Sequence, residues 1–159
     1  MPDLAHDTFT LARQIAAPPE TVFRAWADPT VKRRWFVDSD GPEWEERDYS
    51  LDFRVGGTET GRFVLKDGPG KGEHRNVTHY LDIAPGQRIV FAYTMALDGR
   101  VHSASLTTVT LAENAGGTLL TYTEQMTLIG LSDGAAGRRH GWEHLLSALE
   151  TELGKRTDG

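Results

Sequence analysis

The chain is predicted to be α+β: a curved antiparallel sheet of about seven strands, two short helices, and one long C-terminal helix packed over the concave face. Two observations predict it. The segment from Arg138 to Leu153 is amphipathic at helical spacing. At 100° per residue Trp142, Leu145, Leu146, Leu149 and Leu153 fall within an arc of about 100°, the width of a core-facing stripe. Residues 48–128, in contrast, break into short runs separated by turn signals, the pattern of an antiparallel meander. The stripe must be buried, and the sheet is the only large partner on offer. One helix lying on one curved sheet encloses a space, and that space is a candidate ligand cavity.

The elements follow in order. Thr8 to Ile15 alternates, with Phe9, Leu11 and Arg13 on one side, and reads as a first strand. Pro18-Pro19-Glu20 opens a helix, because proline loses nothing in the first turn and Glu20 meets the positive end of the dipole. Val22, Phe23 and Trp26 share its inner face. Asp28-Pro29 is an N-cap followed by proline, so a second short helix starts at once. Val31 and Trp35 stack on it four residues apart, and Lys32, Arg33 and Arg34 form its wet side. Further strands are expected over Tyr49–Val55, Gly61–Lys66, His74–Ile83, Arg88–Leu97, Val101–Leu111 and Thr118–Leu128. Asp98-Gly99 between two of them is a strong hairpin signal.

Two strands identify the buried face. Ile89, Phe91, Tyr93 and Met95 share one parity, opposed by Val90, Ala92, Thr94 and Ala96. Leu120, Tyr122, Glu124 and Met126 share another, opposed by Thr121, Thr123 and Gln125. Large residues on one face and small or hydroxylated ones on the other describe a half-solvated antiparallel sheet. The inner face is therefore aromatic, with the carboxylate of Glu124 in the middle of an apolar set.

The order of elements resembles the helix-grip fold of the START and birch-pollen-allergen (SRPBCC) superfamily. Ile15-Ala16-Ala17-Pro18-Pro19-Glu20-Thr21-Val22-Phe23-Arg24-Ala25-Trp26 looks like its opening strand and helix. Asp28-Pro29 through Arg34-Trp35-Phe36 looks like its second helix. Asp52-Phe53-Arg54-Val55-Gly56-Gly57, Tyr80-Leu81-Asp82-Ile83 with Pro85, and Arg88-Ile89-Val90-Phe91 resemble its strands. Gly117-Thr118-Leu119-Leu120 through Glu124-Gln125 and then Gly141-Trp142 complete the set. The resemblance covers about residues 8–154 and is closest to the branch named for the activator of the ninety-kilodalton heat-shock chaperone's ATPase. It implies one domain over 8–156, with tails at 1–7 and 157–159. It also implies a cavity between sheet and C-terminal helix, where members bind lipids, hormones or polyketides and a few act as cyclases or hydrolases. The chaperone role does not transfer with the fold.

The candidate cavity set is Phe53, Phe63, Tyr80, Phe91, Tyr93, Tyr122, Glu124, Trp142 and Leu146, with Trp35 and Phe36 near the mouth. These residues either fill a solid core or line a pocket in which tyrosine hydroxyls and a carboxylate meet a ligand. Val77, His79, Leu81 and Ile83 compete with Tyr80 for the inner face. A dry carboxylate suits general acid–base work, so Glu124 is the candidate catalytic group. Its alternatives are ligand anchoring, a salt bridge to an arginine such as Arg54 or Arg62, and a strand-end position open to water. Asp52 and Arg54 read as an exposed ion pair of little worth, with a polar pocket contact as the alternative. His140-Gly141-Trp142-Glu143-His144 matches the inverted zinc-protease pattern. On a helical wheel, however, the two histidines sit at about 0° and 40° against a stripe centred near 190°, so they are expected to face away from the sheet. Gly141 costs about 1 kcal/mol against alanine in a helix and is expected to allow close approach of the helix to the sheet or to a ligand.

The chain has 159 residues, a net charge of −6, 38% hydrophobic and 25% charged residues and no cysteine. The acidic balance disfavours nucleic acid and anionic membrane surfaces. No run reaches the roughly 18 apolar residues that span a bilayer. No metal site or cofactor motif is expected: there is no Gly-rich phosphate loop, no G-x-S-x-G elbow, no defensible Ser/His/Asp order and no thiolate. A cytoplasmic location follows as the default. The leading expectation is binding of a small, largely hydrophobic molecule. The alternatives are an enzyme of cyclase, dehydratase or hydrolase type using Glu124, and a chaperone co-factor or protein-interaction module. A homodimer through an exposed face of sheet or helix is compatible with the chain.

Overall fold

A computed structural model describes residues 3–38, 41–130 and 132–157. The chain runs β1 (Leu4–Ile15), α1 (Pro19–Ala27), α2 (Pro29–Phe36), β2 (Trp44–Leu51), β3 (Thr58–Leu65), β4 (Gly72–Ala84), β5 (Arg88–Leu97), β6 (Arg100–Asn114), β7 (Gly117–Ile129) and α3 (Gly134–Thr157). The strands form one antiparallel sheet in the order β1-β7-β6-β5-β4-β3-β2. This is the expected helix-grip architecture, with α3 packed over the concave face.

Local chemistry places the helices. Pro19 occupies the first turn of α1. The Asp28 carboxylate accepts from the Thr30 amide at 2.9 Å and caps α2. On α3, Trp142, Leu146, Leu149 and Leu153 are buried as their stripe requires, while Leu145 is half-buried. Each fully buried leucine contributes about 1.5–3 kcal/mol of apolar transfer.

Several boundaries differ from expectation. β1 begins at Leu4 rather than Thr8, because residues 4–7 continue pairing with 126–129 of β7. Of the expected tails, residues 1–2 and 158–159 lie outside the described residues. β2 covers Trp44–Leu51 rather than Tyr49–Val55. It is an edge strand whose charges point both ways, so no alternation reveals it. Residues 52–57 instead turn back on themselves, the Asp52 amide donating to the Thr58 carbonyl at 2.9 Å and the Gly57 amide to the Arg54 carbonyl at 2.8 Å. Gly57 is required there: a Cβ would lie 2.2 Å from the Asp52 carbonyl oxygen.

A column of rings fills the half of the interior under β6 and β7. Trp142 stacks on Tyr122 with centroids 4.3 Å apart and on Trp26 at 6.1 Å. Trp26 meets Trp35 edge-on at 4.9 Å. On β4 the inward residues are Asn76, Thr78 and Tyr80. A bulge between Tyr80 and Asp82 turns Leu81 out to solvent, which settles the parity of this strand in favour of Tyr80.

Candidate functional site

The space between helix and sheet lies to one side of the ring column. It is a cavity of about 290 Å³ under the N-terminal half of α3, facing β3, β4 and β5. Its apolar walls are Phe36 of α2, Phe63 of β3, Phe91 and Met95 of β5, and Trp142 and Leu145 of α3. Asp133, Gly137, Gly141 and His144 are both exposed and part of the lining, so they mark its opening to solvent. His144 therefore stands at the rim rather than facing away, whereas His140 is exposed and outside the lining. The Gly141 backbone forms part of the rim with nothing within 4 Å of where a Cβ would stand, so it makes no close helix–sheet contact.

The cavity has two charged features. The first is Lys32 with Glu59. Lys32, expected on the wet side of α2, is 2% exposed and Glu59 is 2% exposed. Their charges pair at 2.9 Å. The ammonium also sits over the rings of Phe36, Trp26 and Trp35 at 4.5, 5.3 and 5.4 Å. Glu59 accepts further hydrogen bonds from the hydroxyls of Tyr49 at 2.5 Å and Tyr80 at 3.4 Å. Burial, with the charge of Glu59 beside them, pushes the pKa of both tyrosines well above its ordinary value, so they remain donors. An eight-residue helix squeezed between α3 and β3 buries a broader arc than Val31 and Trp35 alone.

The second is a knot around Glu124, which is fully buried. The Tyr93 hydroxyl lies 2.7 and 2.8 Å from its two oxygens, Tyr122 donates at 2.8 Å, Ser105 at 2.7 Å and Arg138 Nη1 at 3.0 Å. Arg138 also forks onto Asp133, at 2.8 and 3.0 Å, and donates to Ser103 at 2.7 Å. The Tyr93 hydroxyl in turn accepts from Arg138 Nη1 at 3.1 Å and from the Trp142 indole at 3.2 Å. Burial opposes the Arg138 charge, but Tyr93, Asp133 and Glu124 outweigh it and raise its pKa. Burial also raises the pKa of the Tyr93 hydroxyl, with Arg138 opposing and Glu124 reinforcing. The salt-bridge partner of Glu124 is thus Arg138 rather than Arg54 or Arg62, which pair with Asp52 and Asp48 on the surface. Behind this knot His102 is buried, its Nδ1 3.9 Å from Asp133 and without a hydrogen bond among the described residues.

Of the expected set, Phe36, Phe63, Phe91, Tyr93 and Trp142 line the cavity together. Trp35 is not at the mouth; it is buried, its indole donating to the Ala25 carbonyl at 2.8 Å. Phe53 lies in the turn after β2 and packs on Phe23 and Tyr80. Tyr80, Tyr122, Glu124 and Leu146 form the layer behind the wall and do not line the cavity. Sequence reasoning missed Lys32, Glu59, Asn76, Thr78 and Arg138. The parity of Tyr80 carried a signal, since Asn76 and Thr78 share it. Among the described residues no three His, Asp or Glu side chains converge as a metal-binding group, and no helix is long and apolar enough to cross a membrane.

The fold has counterparts among solved structures. A protein from Rhizobium leguminosarum is 40% identical, with a TM-score of 0.86 over 98% of this chain and 99% of its own. A Rhizobium loti protein is 46% identical, with a TM-score of 0.84 over 94% and 99%. An AHSA1-like protein from Aeromonas hydrophila, 22% identical over 95% and 94%, shares the fold at a TM-score of 0.67. No curated protein matches the chain. The family model described as "Activator of Hsp90 ATPase homolog 1-like protein" matches residues 16–154, and with that span matched the chain belongs to this family.

Proposed function

We propose that this chain binds a small, largely apolar molecule in the cavity between α3 and strands β3–β5. The observation that carries the reading is the separation of the interior into a packed half and an open half. Trp142 closes on Tyr122 on one side, while its other neighbours leave about 290 Å³ lined mainly by rings and aliphatic groups. An apolar cavity of about 150 Å³ accepts benzene, so this one suits a molecule of roughly two fused rings. The arrangement, mainly apolar walls with a few polar groups, is that of small-molecule sites in general. Glu124 has a different task in this reading. Four side chains hydrogen-bond to its oxygens, and it holds the wall without touching the contents.

Thermal denaturation with tetralin, a two-ring hydrocarbon, tests the proposal. At tenfold excess over Kd, mass action adds about 1.4 kcal/mol, a rise of roughly 3–6 °C for a chain of this size. Gly141→Leu, which places four carbons at the rim, is expected to abolish the rise while leaving the protein folded. No rise in the unaltered protein across a panel of two-ring hydrocarbons refutes it.

A further inference from the structure

One wall of the cavity carries polar groups that the protein itself leaves unused. Asn76 is 7% exposed and Thr78 3% exposed, and both line the cavity. Neither side chain hydrogen-bonds to another group among the described residues. Their polar atoms are not sealed in protein, since the closed-in side-chain atoms without a partner among the described residues are Trp26 Nε1, His102 Nδ1 and Thr107 Oγ1. Those of Asn76 and Thr78 open onto the cavity and are served by whatever fills it. Register places them together: Thr78 pairs with Glu59 on β3 and Tyr93 on β5, and Asn76 with Gly61 and Met95. Gly61 makes room for the amide, since a Cβ there would lie 2.7 Å from Asn76 Oδ1. Lys32 lines the same cavity, and its Nζ is paired with Glu59 at 2.9 Å and otherwise lies against ring faces. An ammonium carries three N–H donors, and one carboxylate contact leaves capacity for another acceptor.

Resting on the cavity reading above, we infer that Lys32, Asn76 and Thr78 form the recognition pole of the site and select a neutral carbonyl oxygen on a cyclic or aromatic molecule. The acceptor must be neutral because Glu59 already balances Lys32. A carboxylate brought beside Glu59 would place two anions against one cation in an apolar chamber, where uncompensated charge is costly. A ketone, lactone or amide oxygen takes the remaining Lys32 N–H, with Thr78 and Asn76 within the same wall, and adds no charge. Its ring body then lies against Phe63, Phe91 and Trp142.

Calorimetric titration with three matched probes tests this: tetralin, 1-tetralone and 1-naphthoate. A hydrogen bond to a charged donor implies that the ketone binds about tenfold or more tightly than the hydrocarbon, and the carboxylate more weakly than the ketone. Lys32→Met combined with Glu59→Gln keeps the buried pair neutral and is expected to bring the ketone within about twofold of tetralin. Thr78→Val removes only an unpartnered hydroxyl, so it folds, and is expected to lower the ketone-to-tetralin affinity ratio several-fold. Equal binding of ketone and hydrocarbon overturns this inference and leaves the cavity reading standing. Tighter binding of naphthoate overturns the choice of a neutral group, and an undiminished ketone advantage in the folded variants overturns the assigned residues. Failure of all three probes to bind overturns both readings.

Discussion

Gly141 offers a test of the cavity through stability alone. It lies inside α3, where glycine is about 1 kcal/mol worse than alanine because its backbone loses more freedom on folding. Such a residue is normally explained by close packing. Here a Cβ would find no atom within 4 Å, and the position is on the cavity rim. Gly141→Ala should therefore stabilise the protein by nearly the full propensity difference, about 1 kcal/mol, or a rise of ~2–4 °C in Tm. Gly137, one turn earlier and also on the rim, is the internal control. Its Cβ would come within 3.3 Å of the Asp133 Cβ, and Asp133 holds Arg138, so Gly137→Ala should gain less. Calorimetric melts of both variants measure the difference. A lower Tm for Gly141→Ala would mean that the helix needs the glycine for a contact, and the opening placed there would be wrong.

Three other outcomes are expected. Glu124→Gln leaves Arg138 with Asp133 as its one carboxylate and should cost about 3 kcal/mol, the lower end for a broken buried pair; denaturant titration giving less than about 1 kcal/mol would return Glu124 to the list of candidate catalytic groups. Lys32→Met alone strands the Glu59 charge and should cost about 3–5 kcal/mol, most of it recovered by adding Glu59→Gln, as a double-mutant cycle would show. Burial lowers the His102 pKa below its ordinary 6.5, against the pull of Asp133 and helped by Arg138, His74 and Arg100. The unfolded chain then takes up this proton first, so stability is unaffected above that value and falls as pH drops through it toward the folded pKa. Denaturation at pH 7.5 and pH 5 should show a smaller loss in His102→Gln than in the unaltered protein.

Strands with one wet face were legible in the sequence. β5 covers the residues its alternation indicated, and the inner row of β7 from Leu120 to Met126 is buried as parity required. β2 was not legible, because an edge strand with Glu45, Glu46, Arg47 and Asp48 carries no apolar period. Lys32 was misplaced for a different reason. A lysine beside Val31 on a short helix is wet unless a distant carboxylate faces it, and Glu59 comes from another element. Arg138 and Glu124 likewise sit on α3 and β7 and meet through the fold. Periodicity locates a face; it does not say which charged side chains two faces will bring together.

The position of Trp142 equips the protein with a built-in optical gauge. One side of its indole is fixed against Tyr122 and its nitrogen is tied to Tyr93, while the ring also borders the cavity. Trp44 borders it too, whereas Trp26 and Trp35 are shut in the core. A guest entering the chamber alters the surroundings of two indoles and leaves two as reference, so intrinsic fluorescence will follow filling without a label.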